Sequence, residues 1–137
     1  MTITVAIPHY NDAVKLERLL NQLSAENFDQ ILVLEDASTE PAVKALPAKF
    51  PAVEFVFGKE NLGPGGNRNR ALCKVKSDLI WFLDSDRIIK SSNPRTAIEN
   101  IFQKNLRQAC GGLTLMNGAP QGCNYGRRMH PTRDTMC

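Results

Sequence analysis

Apolar residues fall in short runs along the first ninety or so positions, and each run ends abruptly in polar or turn-forming side chains. Ile3, Val5 and Ile7 lie in a β-branched run that stops at Pro8, which predicts a first strand. Leu16, Leu19, Leu20 and Leu23 follow at i, i+3, i+4 and i+7, the spacing of one apolar helix face, with Asn11 or Asp12 placed to cap it. Residues 31–34 form a continuous apolar run of the kind a parallel sheet buries on both sides. Pro41 suits a first helical position, and Val43 with Leu46 predicts a short helix that Pro47 closes. Residues 53–57 predict a third strand. A glycine-rich loop from Asn61 then feeds a helix with Arg68, Ala71, Leu72 and Val75 on one face, and 79–83 predicts a fourth strand. Asn93 and Pro94 start another helix, carried by Ala97, Ile98, Ile101, Phe102 and Leu106. Residues 109–116 are a candidate fifth strand, weakened by Gly111 and Gly112, and 117–137 show little periodicity.

Strand and helix alternate, so the expected fold is α/β: a Rossmann-like, mostly parallel sheet built from right-handed crossovers, with helices on both faces. Such sheets bind ligands outside the carboxyl ends of their strands. The polar clusters of this chain sit at those ends: His9, Tyr10 and Asn11; Glu35 and Asp36; Asn61 to Arg68; and Asp84 with Asp86. If extended geometry persists past residue 83, Asp84 and Asp86 point one way and Ser85 the other, offering two oxygen ligands to a hard divalent cation against a phosphate. Asp and Ser equally end strands and start turns. Glu35 and Asp36 either cap the next helix or accept from a base or ribose. Arg68 is either a solvated helix residue or a phosphate contact at a helix start. Convergence of four strand ends on one cleft favours the ligand-binding alternative in each case.

Composition narrows the classes. The chain has 137 residues, 42% of them apolar and 23% charged, which is ordinary for one soluble domain. Seventeen basic against fourteen acidic residues leave a net charge of +3, too small to mark a nucleic-acid partner. Cys73, Cys110, Cys123 and Cys137 show no metal-ligand spacing, which argues against zinc and for reduced thiols. With no secretory segment and no run of membrane-span length, the expectation is a cytoplasmic protein, free or peripheral at the inner membrane face. A dinucleotide-binding loop would place its glycines after the first strand, where this chain has Pro8-His9-Tyr10-Asn11, and no phosphate-binding P-loop pattern occurs.

Four segments in register carry a resemblance: Ala6-Ile-Pro-His-Tyr-Asn-Asp12, Ile31-Leu-Val-Leu-Glu-Asp-Ala-Ser38, Asn61-Leu-Gly63 with Asn67-Arg-Asn-Arg-Ala71, and Phe82-Leu-Asp-Ser-Asp86. Together they resemble a family 2 glycosyltransferase of the GT-A fold. The resemblance implies inverting transfer of a sugar from a nucleoside diphosphate donor to a saccharide or lipid-linked acceptor, with Mn²⁺ or Mg²⁺. Carried over by position, Pro8 and Tyr10 would line the base pocket, Glu35 would contact the base with Asp36 beside it, and Asn61, Gly63 and Arg68 would border base and phosphates. Asp84 would face ribose and metal, and Asp86 would be the principal metal ligand. The chain departs from the pattern at Glu35 (usually Asp), Ala37 (usually Gly), His9 (commonly Thr) and Arg87 (commonly acidic), and uridine and guanosine donors both remain open.

The base that deprotonates the acceptor lies, in that family, in an acceptor-binding half well past the Asp-x-Asp segment. Only Asp134 supplies a carboxylate after Glu99, and no catalytic residue is assigned. The expectation is therefore that residues 1–137 are the nucleotide-sugar-binding part of an apparently truncated domain. Apolar surface left exposed at its edge would then favour self-association. A non-catalytic nucleotide-sugar-binding module is the alternative reading, and a nucleotidyltransferase a weaker one.

Overall fold

In the computed structural model, residues 1–104, 113–116 and 119–122 are described, and the chain divides into two units, one ending at Ile89 and one beginning at Lys90. The first unit is organised on β1 (Ile3–His9), whose residues from Ile3 to Ile7 are buried. β1 pairs in parallel with β2 (Gln30–Glu35) on one side and with β4 (Leu79–Phe82) on the other, and β2 pairs in parallel with β3 (Glu54–Phe57). The strand order is therefore β3-β2-β1-β4, with the topological switch beside β1.

The first strand runs on past Pro8, where the sequence suggested a stop. Alternation explains how. The Ala6 carbonyl accepts from Leu83 on the β4 side and the His9 carbonyl accepts from Asp36 on the β2 side, so Pro8 turns its missing N–H toward β4. The β1–β4 register ends at Ala6↔Phe82, and no ladder bond is lost there.

Alternation also divides the core. Val5 and Ile7 of β1 and Val33 of β2 face α1 (Ala13–Leu23), whose Leu16, Leu19, Leu20 and Leu23 are fully buried against them, with Val43 and Leu46 beside them. Burial of each leucine contributes about 1.5–3 kcal/mol. Ala6, Leu32 and Leu34 face the other way, toward Ala71 of α3 (Gly63–Leu72). Helices thus cover both faces, as the alternation predicts. Trp81 packs on the α1 side with its ring centroid 5.8 Å from that of Phe28.

Two local expectations change. Residues 41–45 form a 3₁₀ turn that passes into α2 (Leu46–Lys49), so Pro47 sits in the first turn of a helix, where its missing N–H is not needed, and does not close one. The glycine-rich segment is the first turn of α3 itself, and Val75 lies beyond its last residue, Leu72. A Cβ on Gly66 would stand 2.7 Å from that of Leu62, so a glycine is needed there for the chain to turn into the helix.

The second unit contains α4 (Pro94–Lys104), started by Asn93, whose Oδ1 accepts from the Thr96 N–H at 3.1 Å. Its other described elements are β5 (Leu113–Met116) and β6 (Ala119–Gly122), an antiparallel pair. The candidate fifth strand is therefore half of a two-stranded ribbon, separate from the parallel sheet. β6 went unforeseen because its sequence, Ala-Pro-Gln-Gly, has neither alternation nor β-branched residues. Leu106, residues 109–112, the other three cysteines and Asp134 lie outside the described residues. No described helix is long and apolar enough to cross a membrane.

After β2 the backbone takes φ 59° at Ala37, a left-handed conformation that costs a residue with a Cβ about 1–2 kcal/mol. Part of that is regained on substitution, because glycine also loses more chain entropy on folding. Ala37→Gly is expected to stabilise the protein by up to about 1 kcal/mol, read as a higher urea midpoint; an unchanged or lower midpoint would show that the turn is not strained.

Candidate functional site

At the carboxyl edge of the sheet the strands open onto a cleft of about 220 Å³. Pro8, His9 and Tyr10 line it from the end of β1, Asp36 from the end of β2, and Asp84 from the end of β4. Asn61, Gly63, Pro64, Asn67 and Arg68 close it from the start of α3. The cleft lies at the switch point, where an α/β sheet leaves room for a ligand. Seven residues expected from the sequence meet here: Pro8, Tyr10, Asp36, Asn61, Gly63, Arg68 and Asp84. Tyr10 is half exposed, so its ring is available to stack on a flat ligand.

Glu35 is not among the lining residues. It is 3% exposed, and its Oε1 accepts from the Ser38 N–H at 2.7 Å. Residue 35 alternates with Leu34, so its carboxylate turns to the α1 face and ties down the loop after β2. Of the two alternatives for the acidic pair, Glu35 takes the loop-fixing one. Asn11 completes the clasp, its Oδ1 accepting from the backbone of Thr39 at 3.0 Å and Glu40 at 3.3 Å.

Asp36 is 2% exposed and accepts from the Leu62 N–H and from Arg70 Nη1, both at 3.0 Å. Arg70 also reaches the Glu60 carbonyl at 2.9 Å and the Asn67 Oδ1 at 3.4 Å, and Asn67 in turn donates to the Leu34 carbonyl at 2.6 Å. This network joins the end of β2 to the first turns of α3. Arg70 crosses directly over Gly58, where a Cβ would stand 2.1 Å from Nη1.

The chain does not stay extended through Asp84 and Asp86. β4 ends at Phe82, and the Arg87 N–H donates to the Asp84 carbonyl at 3.1 Å, so residues 84–87 form a turn. The strand-alternation rule for the two carboxylates therefore fails, and the turn brings Arg87 back onto both: 3.9 Å from Asp84 and 3.7 Å from Asp86. Arg68 Nη2 stands 2.6 Å from Asp84 Oδ1. Asp86 is not a lining residue of the cleft; its side chain is 63% exposed, and Arg18 of α1 donates to its carbonyl at 3.2 Å. Both carboxylates are hard oxygen donors in reach of solvent, which suits Mg²⁺ or Mn²⁺. Among the described residues no group of three His, Cys, Asp or Glu that could hold a metal ion forms.

Sequence reasoning passed over Asn67, Pro64 and Arg70 as individual site residues and gave His9 no role of its own. Asn67 and Arg70 are one helical turn apart, a spacing that puts both on the same helix face, and this was the available signal. His9 is 2% exposed, and neither ring nitrogen has a hydrogen-bond partner among the described residues. Burial pushes its pKa below the usual 6.5, against the opposing pull of the Glu35, Glu40 and Asp12 carboxylates.

Fold and site together define a Rossmann-like α/β domain with a cleft at its switch point. The chain matches the glycosyl transferase family 2 model over residues 4–135, and it belongs to that family. It is 30% identical over 92 residues to the SPbeta prophage-derived glycosyltransferase SunS of Bacillus subtilis, covering 67% of this chain and 22% of that one. Among solved structures it resembles S. aureus TarS 1-349 in complex with UDP, with a TM-score of 0.68 and 23% identity, covering 87% of this chain and 37% of that one. It also resembles glucosyl-3-phosphoglycerate synthase from Mycobacterium tuberculosis in complex with Mn²⁺, UDP-glucose and phosphoglyceric acid, with a TM-score of 0.53 and 26% identity, covering 64% of this chain and 34% of that one. The fold is the GT-A type. The chain spans between about a sixth and a third of the length of the curated relatives it matches.

Two expectations follow from the geometry. Because the unfolded chain binds a proton at His9 more readily than the folded one, stability is complete above about pH 6.5 and falls as pH drops from there toward the lowered folded pKa. His9→Leu is expected to flatten that slope and raise the melting temperature at pH 5.5; an identical pH profile in the variant would contradict the burial of a neutral ring. Arg70→Met strands a buried carboxylate and is expected to destabilise by roughly 3 kcal/mol or more. Gly58→Ala displaces the same guanidinium, so the double variant should lose clearly less than the sum of the two in urea denaturation.

Proposed function

We propose that the cleft binds a nucleoside diphosphate sugar with Mn²⁺ or Mg²⁺, and that the chain forms the donor-binding part of an inverting glycosyltransferase acting on a saccharide or lipid-linked acceptor. The observation that carries this is the meeting, at one switch-point cleft, of an exposed aromatic ring, a buried carboxylate, a guanidinium and the Asp84 carboxylate. The family match and the likeness to a synthase solved with Mn²⁺ and UDP-glucose support it.

In this reading Pro8 and Tyr10 flank the base, and Asp36, fixed by Arg70 and the Leu62 N–H, accepts from base or ribose. Asn61 and Gly63 shape the approach to the first turn of α3, and Arg68 meets the diphosphate with a planar, charged fork. Asp84 serves ribose and metal, and Asp86 is the principal metal ligand. A cation bound there supplies Lewis-acid stabilisation of the negative charge that develops on the departing diphosphate. Inversion further requires a base for the acceptor proton, a role this reading assigns to none of the cleft carboxylates, all of which are committed to the donor.

Calorimetry with UDP and GDP, each with and without Mn²⁺, tests the reading. At least one nucleotide should bind, at least tenfold more tightly with the cation, and Asp86→Ala should abolish the metal-dependent part. No measurable heat with any nucleotide–metal pair would overturn it.

A further inference from the structure

Two arginines, two positions apart on α3, are held in opposite ways. Arg70 is 19% exposed in its side chain and reaches several acceptors at once, so it is locked. Arg68 is 37% exposed, and among the described residues its guanidinium has one acceptor, the carboxylate of Asp84, itself 45% exposed. The helix backbone beneath is fixed, because Asn67 and Ala71 are buried on either side of Arg68. Only the head of Arg68 is at liberty to move.

The charges around the turn sharpen this. Asp84 and Asp86 are approached by Arg68 and Arg87, and Arg18 donates to the Asp86 carbonyl. Two carboxylates thus stand among three guanidinium groups, and a free divalent cation arriving at Asp84 meets a surrounding that is already positive and a carboxylate that is already paired. A nucleoside diphosphate arriving with the cation reverses the balance, since its phosphate oxygens neutralise the cation and accept a guanidinium in the bidentate manner.

Resting on the donor-site reading above, we propose that Arg68 is a resident counter-ion. It holds Asp84 while the site is empty and transfers to the diphosphate as the cation takes its place, so that metal and nucleotide bind cooperatively and the metal alone binds poorly. Coupling of this kind commonly amounts to 5–150-fold in affinity, and it is reciprocal between the two ligands. Arg68 is then a positioning residue whose removal has opposite effects on the two: Mn²⁺ alone gains an unpaired Asp84, while the diphosphate loses its partner.

The test is a titration of the whole chain with Mn²⁺, followed by the electron paramagnetic resonance signal of free Mn²⁺, without and with saturating UDP. The wild-type protein is expected to bind Mn²⁺ about tenfold or more tightly when UDP is present. Arg68→Met, which keeps the length of the side chain and removes its charge, should strengthen binding of Mn²⁺ alone by about tenfold, weaken binding of UDP with Mn²⁺, and bring the coupling close to one. Arg68→Lys should retain most of the wild-type coupling. Equal affinity of wild type and Arg68→Met for Mn²⁺ alone overturns the counter-ion role even if UDP binds to both. Absence of UDP binding to the wild type at any Mn²⁺ concentration overturns the donor-site reading on which it rests.

Discussion

A carboxylate that is almost wholly out of water must be paired, and in this protein the pairing of Asp36 settles the geometry of everything that faces the cleft. Asp36 stands at the end of β2, held by the Leu62 N–H and by Arg70. Those two bonds fix the chain between β3 and α3, and with it the position from which α3 starts. Asn67, on the same helix face, is bonded back to the Leu34 carbonyl inside the sheet, so the helix is anchored at two points one turn apart. Removing either partner would leave a buried charge without compensation, and the largest destabilisations measured in proteins have causes of that sort. The glycine at 58 belongs to the same constraint, because the guanidinium passes where its side chain would be.

Most of the architecture was legible because it rests on periodicity. Leu16, Leu19, Leu20 and Leu23 could face only one way, and the run at 31–34 could only be covered on both sides; the four leucines and residues 32–34 are fully buried, and Ile31 is partly so. The assembly of Pro8, Tyr10, Asp36 and Asp84 at one edge was legible for a topological reason, since all four lie at or just past the carboxyl ends of strands that run in the same direction. What stayed hidden depended on turns and on long side chains. The alternation of a strand says nothing about residues beyond its last ladder bond, which is why the turn at 84–87 was not foreseen, whereas Glu35 still lies within β2 and its aim follows from alternation once the register is known. Glycines in the first turn of a helix look like a loop, since helix propensity disfavours them; closeness to Leu62 explains Gly66, and a φ of 70° explains Gly63. Arg70 was invisible for a third reason: its partners lie at residues 35, 36, 60 and 67, and no local pattern joins them.

His9 lines the same cleft as Tyr10, yet its ring is withdrawn from water. Its register partner is Glu35, and alternation turns both side chains toward α1, away from the face on which Asp36 meets α3. The acidic neighbours Glu35 and Glu40 pull its pKa up, yet burial prevails, which places the ring on the neutral side of the balance near pH 7. A ring that is 2% exposed and has no hydrogen-bond partner among the described residues is more easily kept neutral than charged.

Asp36 and Asp84 also illustrate why burial, more than charge, separates a scaffold from a ligand site. Both are carboxylates at strand ends, both line the cleft, and both are paired with an arginine of α3. Asp36 and Arg70 are withdrawn from water, so exchanging that partner for another would expose an uncompensated charge in a medium of low dielectric. Asp84 and Arg68 are each more than a third exposed, and water screens the separated charges while they exchange partners. The shorter of the two ion pairs, 2.6 Å against 3.0 Å, is thus the one more easily broken. Distance alone would rank them the other way, and under the donor-site proposal it is the exposed pair that would give way to a cation and a phosphate.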